Sequence, residues 1–200
     1  MSNKKLLAEA FGTFTLTLIA MFSLVGSFAV PTPILAGLTV MLFVYSIGPI
    51  SGAHINPAVT LGLWSMGRIK PREAVLYMVS QFVGASLALL TVKYFKVPIQ
   101  SMPVGRLQIG LAETLGAVVF TFGIASVVFG KLSGGLSGLV IGGSLIVGIA
   151  VAALLGSPGI LNPAVAMGLQ SFSLMTLLGP IVGSLIGMRL YRYIYGNGKK

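Results

Sequence analysis

Asn56-Pro57-Ala58 and Asn162-Pro163-Ala164 stand 106 residues apart in a chain of 200. Proline suits the first position of a helix, where its missing N–H would have had no partner, so each triplet reads as an asparagine N-cap followed by a helix start. An asparagine amide carries two N–H donors beside its oxygen, and two such amides offer hydrogen bonds to a neutral molecule. That is recognition chemistry, with no bond made or broken. The chain has no aspartate, no cysteine and one histidine, His54. No nucleophile–base–acid set can be assembled, so an enzyme is not expected. A lone histidine without carboxylate or thiolate neighbours holds no metal, and no cofactor is implied.

The elements that must position the two asparagines are membrane helices. The chain is 56% hydrophobic and 8% charged, with a mean hydropathy of +0.99. Runs of roughly 18 or more apolar residues are long enough to cross about 30 Å of hydrocarbon. Six are read, at about 6–29, 33–50, 74–92, 107–129, 134–155 and 174–195. Other landmarks recur with nearly the same offset as the triplets. Ala8-Glu9-Ala10-Phe11-Gly12 returns as Ala112-Glu113-Thr114-Leu115-Gly116, and Gln81-Phe82-Val83-Gly84-Ala85 as Pro180-Ile181-Val182-Gly183-Ser184. The order and spacing imply an internal duplication within one domain spanning 1–200, with repeat one at about 4–95 and repeat two at about 107–196.

Each repeat contains three spans, an odd number, so the second copy crosses in the opposite sense and the triplets enter from opposite faces. The apolar stretches 57–66 and 163–172 are too short to cross and read as half-helices ending near the midplane. Irregular backbone at that depth must be buried in protein or line a watery cavity. The net charge of +10 does not point to nucleic acid, because its distribution is that of a membrane protein. With both termini inside, Lys4, Lys5, Arg68, Lys70, Arg72, Lys131, Arg189, Arg192, Lys199 and Lys200 fall on the cytoplasmic side, against Lys93, Lys96 and Arg106 outside. Stripes of small residues at four-residue spacing (Gly134, Gly138, Gly142; Gly179, Gly183, Gly187; Ser80, Gly84, Ala88) predict close helix packing in lipid.

Ser51-Gly52-Ala53-His54-Ile55-Asn56-Pro57-Ala58-Val59-Thr60 and Leu161-Asn162-Pro163-Ala164 resemble the signature loops of the aquaporin, or major intrinsic protein, family. Ala8-Glu9 with Gly12-Thr13, Glu113, Gln81, Gly84, Pro180 and Gly183 are similar to it too, so the resemblance covers residues 4 to 195. It implies an all-α membrane protein: an hourglass of six transmembrane helices and two re-entrant half-helices, usually a homotetramer. Such a channel passes water or small neutral solutes through the lipid bilayer of the cell membrane. The N-termini of two facing half-helices make the midplane electropositive, and a water held by both Asn56 and Asn162 interrupts a proton-hopping chain. Glu9 and Glu113, inside predicted spans, read as acceptors for the backbone N–H groups of the re-entrant loops. The alternative is a proton-coupled transporter. His54 reads as tying its loop to its neighbours, or as a pH gate at the cytoplasmic mouth. Pro57 and Pro163 support the loops as helix starts.

At the narrowest point the sequence departs from the family. Where the resemblance places arginine, after the second triplet, stands Val165. Where water-selective relatives carry an aromatic in the second span stands Ala36. The partner from the fifth span falls among Ala150 to Ala153, and Gly159 or Ile160 completes the ring. This implies an outer constriction wider and less polar than in a strict water channel. A secondary transporter built on inverted repeats and a non-conducting scaffold remain as alternatives.

Overall fold

The computed structural model describes residues 2–25, 29–99, 101–130, 132 and 134–196. Three residues of the basic face, Lys131, Lys199 and Lys200, lie outside them, as does part of the expected end of the first span (26–28). The described residues form α-helices α1 (Asn3–Val25), α2 (Thr32–Ser46), α3 (Gly48–Ser51), α4 (Pro57–Ser65), α5 (Pro71–Tyr94), α6 (Leu107–Phe129), α7 (Ser137–Leu154), α8 (Pro163–Gly168) and α9 (Leu174–Tyr195), with a 3-10 turn at Gly134–Leu136.

Five of these, α1, α5, α6, α9 and α7 with the turn before it, are long and apolar enough to cross a membrane; α2 is an apolar helix of 15 residues. The protein is an integral membrane protein. The expected span 33–50 is divided. Pro49 has no N–H to continue the ladder of α2, so the chain breaks at Ile47 and resumes as α3, which Gly52 closes in the left-handed region at φ 91°.

The small-residue stripes bring backbones together. A Cβ on Gly179 would stand 2.6 Å from the Gly110 carbonyl oxygen, and one on Gly142 would stand 2.5 Å from that of Gly37. Thr114 Oγ1 crosses the α6–α9 seam to Gly179 O at 3.1 Å. Gly134 does not belong to such a seam, because a Cβ there would meet nothing within 4 Å among the described residues.

Side-chain contacts fix which helix ends share a face. Lys5 Nζ meets Glu73 Oε1 at 2.8 Å, which places the starts of α1 and α5 together. Arg68, just after α4, donates to the Val128 carbonyl at the end of α6 (3.2 Å). The outer end of α8 lies at the other face, where Met102 N donates to Ser171 Oγ (2.9 Å) and Ser173 Oγ to Val104 O (2.8 Å), just before α6 begins. The half-helices α4 and α8 therefore enter from opposite faces and meet at their N-termini.

Candidate functional site

Each half-helix starts as its sequence dictates. Asn56 Oδ1 accepts from Ala58 N at 2.9 Å, while Asn162 Oδ1 accepts from Ala164 N (3.1 Å) and Val165 N (3.3 Å). Pro57 and Pro163 open the two helices. Such a cap contributes on the order of 1 kcal/mol. The amide nitrogens then reach across the midplane: Asn56 Nδ2 donates to Leu161 O (2.9 Å) and Asn162 Nδ2 to Ile55 O (3.0 Å). Each loop thus offers the other one carbonyl, and each asparagine keeps its second N–H for whatever occupies the space in front of it.

The carbonyls point there because Ile55 and Leu161 sit in the left-handed region, at φ 40° and 52°. For residues with a Cβ this costs roughly 1–2 kcal/mol each. Two buried carboxylates offset that cost. Glu9 Oε1 accepts from Ser51 Oγ (2.7 Å) and His54 N (3.0 Å), and its Oε2 from Ile55 N and Gln81 Nε2 (both 2.7 Å). Glu113 Oε1 accepts from Ser157 Oγ (2.5 Å) and Ile160 N (2.8 Å), and its Oε2 from Leu161 N (2.6 Å). Both carboxylates are fully buried. His54 stands beside the first loop, its Nδ1 3.2 Å from Thr60 Oγ1 and its ring edge-on to Tyr77 at 5.1 Å. Tyr77 OH donates to Ser51 O at 2.8 Å.

In front of the asparagines runs a cavity of about 300 Å³. At one end it touches Leu24, Thr32 and Met102, and at the other His54, Val128 and Ile141. Ala36, Gly159, Ile160 and Val165 all line it, together with Asn56 and Asn162. Glu9, Glu113, Pro57 and Pro163 stand behind the loops, outside the lining. The wall opposite the loops is apolar: Leu16 and Ala20 of α1, Phe120, Ile124 and Val128 of α6, and Ile141, Leu145, Ile149 and Ala153 of α7. Of the residues 150–153, Ala153 alone reaches the cavity, and Ile149, one position outside that range, joins it. Gly159 lies against Ile149: at φ 67° a Cβ there would stand 2.9 Å from the Ile149 carbonyl oxygen. The missed wall has a sequence signal in the four-residue spacing of 120, 124, 128 and of 141, 145, 149, 153, the latter running beside the glycine stripe of α7.

The second half-helix is shorter than its sequence suggests, six residues where 163–172 is expected. Gln170 turns into the left-handed region at φ 54°. Ser173 already caps α9 through Met175 N and Thr176 N, in a capping box with Thr176. The chain needs residues 169–172 to turn between the two helices.

The family profile described as Major intrinsic protein matches residues 1–191. Among curated relatives, aquaporin NIP1-1 of Arabidopsis thaliana is 32% identical over 217 aligned residues, covering 96% of this chain and 73% of the relative. The probable aquaporin AqpM of Archaeoglobus fulgidus is 36% identical over 181 residues, 78% of this chain and 73% of the relative. The X-ray structure of the aquaglyceroporin from Plasmodium falciparum superposes with a TM-score of 0.73 at 19% identity, over 98% of this chain and 96% of that one. With the whole-chain profile match and the meeting half-helices together, the chain belongs to the major intrinsic protein family.

Proposed function

We propose that the protein is a passive channel for water and small uncharged solutes, conducted past Asn56 and Asn162. The observation that carries this reading is the pair of amide N–H groups left over after capping and cross-bracing, both facing one cavity that touches residues at opposite helix ends. A passing oxygen exchanges hydrogen bonds with these donors while the apolar wall offers no polar group to hold it. The two half-helix N-termini place partial positive charge at the same point, which disfavours cations and protons. The engagement of Glu9 and Glu113 by loop donors supports a channel over a proton-coupled transporter, since neither carboxylate lines the cavity.

Proteoliposomes should shrink faster than protein-free vesicles under an osmotic step, with a low activation energy and no dependence on an ion gradient. Asn56→Leu and Asn162→Leu should each reduce that rate. Shrinkage equal to empty vesicles would favour a scaffold, and gradient-dependent, saturable uptake a transporter.

We further propose that Ala36, Ile149, Gly159, Ile160 and Val165 form an outer constriction without charge or aromatic wall. Arginine would supply a fixed fork of donors there. Its absence favours solutes larger than water, such as glycerol, urea or undissociated metalloid acids. Val165→Arg combined with Ala36→Phe should cut solute flux more than water flux. If the native protein passes water freely yet excludes all three solutes, this assignment is wrong. Tetrameric assembly, residence in the cell membrane and cytoplasmic termini belong to the same proposal. The last rests on the basic side chains at the face shared by the starts of α1 and α5.

A further inference from the structure

The chain has three acidic side chains against thirteen lysines and arginines. All three are committed: Glu9 and Glu113 are buried behind the loops, and Glu73 pairs with Lys5. The arginines of the Lys5–Glu73 face therefore have no acidic side chain to pair with. Three of them gather where α4, α6 and α9 end. The Arg68 guanidinium lies 4.4 Å from the centroid of the Phe129 ring, and that of Arg192 faces the same ring from 5.8 Å. Arg189, one turn back on α9, spends one N–H on the Leu185 carbonyl (3.0 Å). A guanidinium has five N–H groups, so most of the donors in this cluster have no partner among the described residues.

Beside the cluster is an open cleft of about 410 Å³, lined by Ser65, Met66, Arg189, Arg192, Tyr193 and Gly196. It sits at the end of a spanning helix, the level of the polar headgroups in a bilayer. Below it Val182, Ile186 and Leu190, all exposed, form one ridge along α9 that ends in exposed Tyr193. Cationic donors above an apolar ridge complement the two halves of one amphipathic ligand.

We propose that this cleft binds the phosphate of an anionic phospholipid, with an acyl chain lying along the Val182–Ile186–Leu190 ridge. Two arginines one turn apart can direct paired N–H groups at phosphate oxygens, and no acidic side chain competes for them. A zwitterionic headgroup brings its own cation into a cluster of three guanidinium groups and is disfavoured. Free phosphate satisfies the arginines but leaves the ridge uncovered. The cleft shares no lining residue with the conduit, so its occupancy is read separately from what the channel passes.

The test is native mass spectrometry of the purified protein with equal amounts of phosphatidylglycerol and phosphatidylcholine bearing the same chains. Phosphatidylglycerol should be retained preferentially. Arg189→Gln with Arg192→Gln should lower its retention by about tenfold, the equivalent of roughly 1.4 kcal/mol. Arg189→Lys with Arg192→Lys, which keeps charge and loses the fork, should fall between. Lys93→Gln with Lys96→Gln, at the opposite face, should change nothing. Helix content and osmotic shrinkage rate unchanged in the glutamine variant would show that the fold survives. Retention that ignores the glutamine substitutions overturns the proposal. So does equal retention of the two lipids alongside arginine-dependent binding of inorganic phosphate alone, which would make the cleft a site for the free ion.

Discussion

Glu9 accepts four hydrogen bonds and Glu113 three, and the difference is the Gln81 amide, which has no counterpart in the second loop. Around the first loop stand His54, Thr60, Tyr77 and Gln81; at the matching offsets of the second stand Ile160, Ala166, Thr176 and Pro180. The second loop is packed by apolar contact instead, with Leu161 against Gly116 and Gly148. What both share is a carboxylate, a serine hydroxyl and two backbone N–H groups. That set is sufficient to hold a left-handed residue in front of an asparagine. The additional polar side chains of the first loop are supplementary, and each carries its own requirement for a partner.

The largest effect should come from removing the shared element. Glu9→Ala or Glu113→Ala leaves two loop N–H groups without an acceptor, all buried except the half-buried His54 N–H, at about 1–3 kcal/mol for each buried one. Both variants should lose thermal stability sharply, Glu9→Ala the more because Gln81 also loses an acceptor. Equal midpoints for either variant and the native protein would remove the carboxylates from the account.

A second comparison uses the glycine three residues after each carboxylate. A Cβ on Gly12 would press on the Cγ2 methyl of buried Ile55, which is fixed on a stiff β-branched side chain, whereas one on Gly116 would stand 2.5 Å from the backbone oxygen of Gly148 and also crowd Leu161 and Ala152. Overpacking costs about 1–3 kcal/mol, and Gly116→Ala should cost more than Gly12→Ala because it meets the backbone and two further side chains. A reversed order in a melting experiment would mean that the first loop is the more rigid one.

The smallest effect is expected at Gln81. Its Nε2 also donates to Thr60 Oγ1 (3.0 Å), but its buried Oε1 has no partner among the described residues. Gln81→Leu loses two hydrogen bonds and removes one unsatisfied acceptor, so the net change should stay below about 1.5 kcal/mol. A larger loss would show the amide to be as necessary as the carboxylate.

Much of this arrangement was legible in the sequence. The duplicated triplets and the paired Glu9 and Glu113 are polar residues in an apolar chain, and burial in lipid leaves such residues few uses other than to satisfy backbone groups. The spans 107–129 and 174–195 coincide with α6 and α9 because apolar length sets them. What escaped depends on local geometry. Hydropathy runs through Ile47 without registering that Pro49 breaks the ladder. The end of α8 is decided by the turn needed to reach the Ser173 cap, and composition carries little trace of it. The position of Ile149 depends on the rotation of α7, fixed by glycine contacts to α2 and by the approach of Gly159, both distant in sequence.

The exchange of amides and carbonyls between Asn56 and Leu161, and between Asn162 and Ile55, joins residues 105 and 107 positions apart. During synthesis the first loop is complete long before its partner exists, and until then Asn56 caps its own helix while the Ile55 carbonyl has no amide to accept from. Closing contacts over such separations is slow, so this cross-brace is among the last parts of the protein to form. A channel that leaks before it is finished would harm the membrane it is inserted into. Here the groups that complete the conduit are the same ones that report that both halves have arrived.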